Sequence, residues 1–175
     1  IADAPIRGGW VAIDGQRVAA VGAGPATDAV DLGRVAILPA LVNAHTHLEL
    51  SYLRDVVPPS TKFINWIRVV MAARRQFPDA ADPRILAAAR DGIAQARATG
   101  TGLVGDISNT LVTVPLLREA GLAAQVFYEL LGFSTPDPHK RVQDARAQAR
   151  EAGEAGARGE TETPVRVSLD RKSHV

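Results

Sequence analysis

The stretch VAILPALVNAHTH, residues 35–47, decides the fold of this chain. Its apolar, partly β-branched residues are typical of a buried strand, and polar residues crowd its end. Because side chains alternate along an extended backbone, His45 and His47 point to the same side of the strand. Two imidazoles so placed can bind one divalent metal ion, although a metal-free pair of histidines would have the same spacing. The polar neighbours Asn43 and Glu49 favour the metal interpretation.

From Pro39 onward, strand patterns alternate with helical patterns, which predicts a parallel sheet or barrel with the helices on its outside. The predicted strands lie at about 40–46, 102–107, 123–130 and 164–169. The predicted helices lie at about 62–76, 83–99, 112–120 and 138–152. The pairs Asp82-Pro83 and Asp137-Pro138 each place a capping aspartate before a proline at the first helical position.

The first 38 residues have a different pattern, that of short strands joined by turns. Asp14-Gly15 is a strong hairpin signal between the apolar segments 9–13 and 16–21. The sequence therefore predicts a small β-structure that is separate from the alternating strands and helices.

The segment LPALVNAHTHLELS, residues 38–51, resembles the first barrel strand of the amidohydrolase superfamily. It is most similar to the branch that holds imidazolonepropionase, S-adenosylhomocysteine deaminase, aminodeoxyfutalosine deaminase and the chlorotriazine hydrolases. Residues 63–67, 104–110 and 126–133 also match, and the resemblance extends to about Leu169. Ala40 replaces the usual glycine after the proline, which leaves the histidine positions intact.

The resemblance implies an α/β fold in which residues 39–175 form the first four βα units of a (β/α)8 barrel. Residues 1–38 would form the N-terminal part of a small β-sandwich that precedes the barrel. A complete barrel needs about 250 residues, so both ends of this chain are expected to be truncated. The end DRKSHV, residues 170–175, departs from the Pro-His-Ala-Pro-type segment of the family, which suggests a frameshift or premature end, or a natural short form.

In a βα barrel, the active site lies at the carboxyl ends of the strands. The resemblance implies that His45 and His47 are metal ligands there, with Zn²⁺ as the first expectation and Fe²⁺ as the alternative. The other ligands and the proton-shuttling carboxylate of the family come from later strands and are not in this chain. His139 and His174 match no ligand position and are expected at the surface.

Further polar and aromatic residues near the strand ends are candidates for substrate binding. Glu49 could bind substrate or orient a ligand histidine, or it could form an ion pair with Arg54. Glu129 could line the pocket or form a buried salt bridge, and Trp66 is either a pocket wall or core. A purely structural role, accepting from buried backbone or capping a helix, is preferred for Asp106.

The implied function is that of a metal-dependent amidohydrolase or aminohydrolase, an enzyme that hydrolyses a C–N bond with metal-activated water. By resemblance, the substrate is an N-heterocyclic or amino-purine nucleoside-like small molecule. Because the ligand set is incomplete, this chain alone is expected to be inactive. Two alternatives stay open: a truncated product without catalytic activity, and a small metal-binding α/β domain.

The composition is that of an ordinary globular protein, with 175 residues, of which 46% are hydrophobic and 22% charged. A net charge of +1 gives no argument for binding nucleic acid or a membrane surface. The absence of cysteine excludes disulfides and thiolate metal sites. No apolar run reaches membrane-spanning length, and a cytoplasmic location is the default expectation. Unpaired strand edges would make a homo-oligomer possible.

Overall fold

The computed structural model describes residues 4–15, 17–131, 134–155 and 164–170. The chain divides into two compact units, residues 1–38 and residues 39–175. Some of the sequence-based predictions concern positions outside the described residues. These are the surface position of His174, part of the match at 126–133, and the departure at the C-terminal end.

The first unit contains the predicted hairpin. Strand β1 (Gly9–Asp14) pairs with β2 (Arg17–Ala23) in antiparallel register. The turn between them contains Gly15 at a φ of +58°, a conformation that glycine adopts without steric cost. Gly22 lies opposite Trp10, and the indole ring occupies the space that a Cβ at Gly22 would need. The hairpin prediction is therefore confirmed.

In its described residues, the second unit is built on four parallel strands. They are β3 (Leu41–Thr46), β4 (Thr101–Ser108), β5 (Ala123–Tyr128) and β6 (Val165–Leu169). Their order in the sheet is the order in the chain, and each neighbouring pair is parallel. The prediction of four parallel strands is therefore confirmed. Since the strands are parallel and connected by helices, their carboxyl ends all lie at the same edge of the sheet.

Among the described residues, four α-helices lie between these strands, and each agrees with a predicted helix. They are α1 (Phe63–Arg75), α2 (Pro83–Ala98), α3 (Thr113–Glu119) and α4 (Pro138–Glu154). The side chains of Asp82 and Asp137 accept hydrogen bonds from the first turns of α2 and α4, as predicted. A 3-10 helix at Leu48–Leu53 was not expected. None of the helices in the described parts of the chain is long and apolar enough to span a bilayer.

The core lies between one face of the sheet and the helices. Alternate strand residues, among them Val104 and Val126, pack with Ile93 of α2 and Leu117 of α3, and all four are at most 1% exposed. Leu103, on the opposite face of β4, is 38% exposed. Ile107, on the same face as Leu103 but near the carboxyl end of β4, is only 8% exposed, so the exposure of this face falls toward the carboxyl edge of the sheet.

Candidate metal centre

The two histidines lie at the carboxyl end of β3. His45 belongs to the strand and His47 follows its last residue, Thr46. Their ring centroids are 5.2 Å apart and the rings are steeply inclined, at 70°. The hydroxyl of Thr46, between them, points away and donates to Asp106 on β4. The structure thus brings the two imidazoles together, and metal binding by them stays a prediction.

The environment of His47 favours its neutral form. Burial lowers the pKa of His47, and the neighbouring His45 lowers it further, while the carboxylates of Glu129 and Glu49 oppose the shift. A lowered pKa keeps the imidazole neutral at neutral pH. The neutral imidazole has a free nitrogen lone pair and is therefore the form that binds a metal ion.

Asp106 is fully buried at the end of β4. Its Oδ1 accepts from the backbone nitrogen of Leu48 at 2.8 Å and from the hydroxyl of Thr46 at 3.0 Å. Its Oδ2 accepts from the hydroxyl of Thr113 at 2.8 Å. Burial raises the pKa of Asp106 to about 6, although these hydrogen bonds oppose the shift. The structural role preferred for Asp106 is confirmed, because it accepts from buried backbone.

Glu49, in the 3-10 helix that follows His47, is 3% exposed. Its Oε2 accepts from the hydroxyls of Ser108 (2.8 Å) and Thr110 (2.6 Å) and from the backbone nitrogen of Thr110 (3.1 Å). Its Oε1 accepts from the backbone nitrogen of Asn109 (3.0 Å) and from a guanidinium nitrogen of Arg74 (3.3 Å). Both carboxylate oxygens are therefore occupied by donors of the protein.

The alternative prediction for Glu49, an ion pair with Arg54, was wrong. Arg54 donates instead to the side chain of Gln95 at 3.0 Å, and the cation at Glu49 is Arg74 from α1. The 3-10 helix explains the difference, because it turns the side chain of Glu49 inward, toward the loop after β4, and that of Arg54 outward.

Glu129 directly follows β5 and is linked to the same loop through Asn109. The amide nitrogen of Asn109 donates to the carboxylate of Glu129 at 3.0 Å and to its carbonyl oxygen at 2.9 Å. The amide oxygen of Asn109 accepts from Arg74 at 2.8 Å. Glu129 forms no ion pair within the described part of the chain, so the salt-bridge alternative is not observed. Asn109 was missed, although its polar side chain directly after an apolar strand was a usable signal.

Two cavities border this group of residues. The first, of about 590 Å³, lies between the end of β5 and α4 and is lined by Glu129, Asn109 and Arg141 among others. The second, of about 340 Å³, is lined by Glu49 and Arg74. Trp66 lies outside both cavities; its ring packs against that of Phe63, with centroids 5.9 Å apart. Its role in substrate binding stays a prediction.

The side chains that could bind a divalent metal ion supply only part of a complete ligand set. Within the described ranges, no group of three His, Cys, Asp or Glu side chains is arranged to hold a metal ion. His139 is exposed on α4, as expected. His45 and His47 thus fit as two ligands of a site that needs at least one more.

The architecture defined so far is an α/β protein with a four-stranded parallel sheet and a polar cluster at its carboxyl edge. No family model matches the chain. It is 37% identical over 98 residues to adenosine deaminase of Helicobacter pylori, a match that covers 56% of this chain and 23% of that protein.

A similar fold is found in the crystal structure of Helicobacter pylori aminofutalosine deaminase in complex with methylthio-coformycin. The TM-score is 0.60 at 28% identity, and the match covers 75% of this chain and 29% of that one. This chain therefore spans less than a third of the length of either relative. Both relatives are deaminases, which agrees with the resemblance of residues 38–51 to the amidohydrolase superfamily.

Proposed function

We propose that this chain is part of a metal-dependent amidohydrolase of the aminohydrolase, or deaminase, kind. One observation carries the proposal: His45 and His47 meet at the carboxyl end of a strand in a parallel sheet, with ring centroids 5.2 Å apart. The likeness to two deaminases supports it independently. Under this proposal, residues 39–175 are the first four βα units of a (β/α)8 barrel, and residues 1–38 belong to a small β-sandwich.

His45 and His47 would hold the metal, with Zn²⁺ as the first candidate and Fe²⁺ as the second, because neutral imidazole suits both ions. When bound, a divalent metal lowers the pKa of its water to about 7 and polarises the carbon under attack. The lowered pKa of His47 keeps its nitrogen available for this role at neutral pH.

Glu129 is the proposed substrate-binding carboxylate. Its Oε2 accepts from Asn109, and among the described residues nothing donates to its Oε1. That oxygen can accept a hydrogen bond from a hydroxyl or amino group of a small molecule. The proposed substrate is an N-heterocyclic or amino-purine nucleoside-like compound, whose hydrolysis at a C–N bond releases ammonia. Trp66 is retained as a candidate for the pocket wall.

The metal proposal is tested by competition for Zn²⁺ between the chain and a chromophoric chelator. We expect His45→Ala and His47→Ala each to lower the Zn²⁺ affinity by at least about 10-fold, because each removes one of two ligands. His139→Ala is the matched control, since it removes an exposed imidazole on α4. Equal affinity in all three variants and the parent chain would contradict the proposal.

A further inference from the structure

Two buried carboxylates flank the backbone of His47, and neither is a proposed metal ligand. Asp106 is 0% exposed and Glu49 is 3% exposed. A buried carboxylate is costly unless it is fully hydrogen-bonded, so both must be held by specific donors. Those donors show a reciprocal arrangement: each carboxylate accepts from the segment that carries the other.

The first half of the arrangement fixes the residues on either side of His47. Asp106, at the end of β4, accepts from the hydroxyl of Thr46 at 3.0 Å and from the backbone nitrogen of Leu48 at 2.8 Å. Thr113, at the start of α3, donates to its other oxygen. The residues directly before and after His47 are therefore both bound by the side chain of Asp106.

The second half runs in the opposite direction, from the segment after β3 to the loop after β4. Glu49 accepts four hydrogen bonds from residues 108–110 and one from Arg74. The loop continues into Leu111, whose φ is +61°. A bulky residue rarely adopts this conformation unless its surroundings hold it there. The carboxylate of Glu49 is the group around which these donors converge.

The geometry points to Asp106 and Glu49 as positioning residues that fix the backbone of His47, and with it the orientation of the His45–His47 pair toward a metal ion. The inference rests on the proposed metal site but concerns residues that do not touch the metal. Groups that orient metal ligands typically contribute about 10–100-fold to metal affinity. Because Arg74 and Asn109 join Glu49 to Glu129, the same network also sets where Glu129 lies.

Glu49→Gln is the variant that tests the inference with the least change in shape. The new amide nitrogen would replace either Oε1, which accepts from Asn109 and Arg74, or Oε2, which accepts from Ser108 and Thr110. In either orientation, at least one backbone donor of the 108–110 loop loses its acceptor. Glu119→Gln is the matched control, since Glu119 forms an exposed ion pair with Arg90 on the helical side. Thr110→Val is a milder second variant, which removes only the 2.6 Å hydroxyl contact.

Two measurements on the full chain separate the inference from the proposed function. The first is amide hydrogen exchange of residues 46–50 without metal, followed by mass spectrometry. The second is Zn²⁺ affinity in competition with a chromophoric chelator. For Glu49→Gln, we expect exchange at 46–50 at least 10-fold faster and Zn²⁺ affinity about 10-fold weaker. Thr110→Val should change both in the same direction by less, and Glu119→Gln should change neither.

Unchanged exchange in Glu49→Gln and Thr110→Val would overturn the inference, whatever the metal does. Faster exchange with unchanged Zn²⁺ affinity would also overturn it, because the network would then stabilise the fold without positioning the histidines. If instead Zn²⁺ affinity does not depend on His45 or His47 even in the parent chain, the proposed function itself fails. The exchange measurement then still shows whether the carboxylates hold this backbone.

Discussion

At the scale of single residues, the most consequential feature is the cost of keeping Asp106 ionised. Burial raises its pKa from 3.8 to about 6, and the nearby Glu49 adds to the shift, while donors from Leu48, Thr113 and Thr46 oppose it. The folded chain therefore binds a proton at Asp106 more tightly than the unfolded chain does. The stability from this group is complete below about pH 4 and is lost as the pH rises through about 6.

Asp106→Asn should remove this pH dependence. The amide can keep the same three partners: its oxygen accepts from Leu48 and Thr46, and its nitrogen donates to the hydroxyl of Thr113, which reverses the direction of that hydrogen bond. The quantity to compare is the free energy of unfolding of the variant minus that of the parent chain. We expect this difference to rise by on the order of 2 kcal/mol from pH 4 to pH 7. Urea denaturation at several pH values measures the difference, and a difference that is constant with pH would contradict it.

At the scale of secondary structure elements, the contact between β3 and β4 controls the position of the histidines. Gly105 of β4 packs directly on the backbone of Ala44, and a Cβ at Gly105 would overlap the carbonyl oxygen of Ala44. Gly105→Ala should therefore push β3 away from β4. We expect a loss of about 1–3 kcal/mol in the free energy of unfolding, the usual cost of overpacking, together with weaker Zn²⁺ binding at the adjacent His45.

The control for this prediction is Gly153→Ala, the same substitution on α4. There the nearest atom to a new Cβ would be 3.9 Å away, on Val167, which is ordinary van der Waals contact. Alanine also favours a helix over glycine by up to about 1 kcal/mol. Urea denaturation should show Gly105→Ala destabilised and Gly153→Ala unchanged or stabilised. If Gly105→Ala were as stable as the parent chain, β3 and β4 would be able to separate without cost, which would contradict the prediction.

The elements themselves could be predicted from sequence because their signals are local. Strand β3 follows from its apolar run, and α2 and α4 from an aspartate-proline pair before each helix. The hydrogen-bonding partners of Glu49 could not be predicted, because its donors lie 25 to 61 positions away in sequence. The 3-10 helix at Leu48–Leu53 was missed for a related reason: such a short turn has no periodic pattern of its own.

At the scale of the whole molecule, β3 is an edge strand that carries exposed apolar side chains. Strand β3 pairs only with β4 among the described residues, and its Leu41 and Val42 are 60% and 64% exposed. Unpaired apolar edges favour association between chains. We expect sedimentation velocity to show concentration-dependent association that Val42→Lys reduces. Val56→Lys, at a 57% exposed position outside the sheet, is the control, and equal behaviour of the two variants would contradict a role for this edge.

We expect no catalysis by these 175 residues alone. A catalytic zinc usually has three protein ligands plus water, and the described residues bring two imidazoles together without a third ligand in reach. Proton transfer during hydrolysis also needs a general acid or base within hydrogen-bonding distance of the reacting atoms. The carboxylates of Glu49 and Asp106, the two that are buried beside His47, are both engaged by donors of the protein.

The measurement is ammonia release by the purified chain with Zn²⁺ or Fe²⁺, using a panel of amino-purine nucleosides and related N-heterocycles. The expected result is no turnover above that of the metal alone, even at metal concentrations that saturate His45 and His47. Metal-dependent turnover that disappears in His45→Ala and in His47→Ala but persists in His139→Ala would contradict this expectation. It would mean that the chain completes its site with its own residues or with those of a second copy.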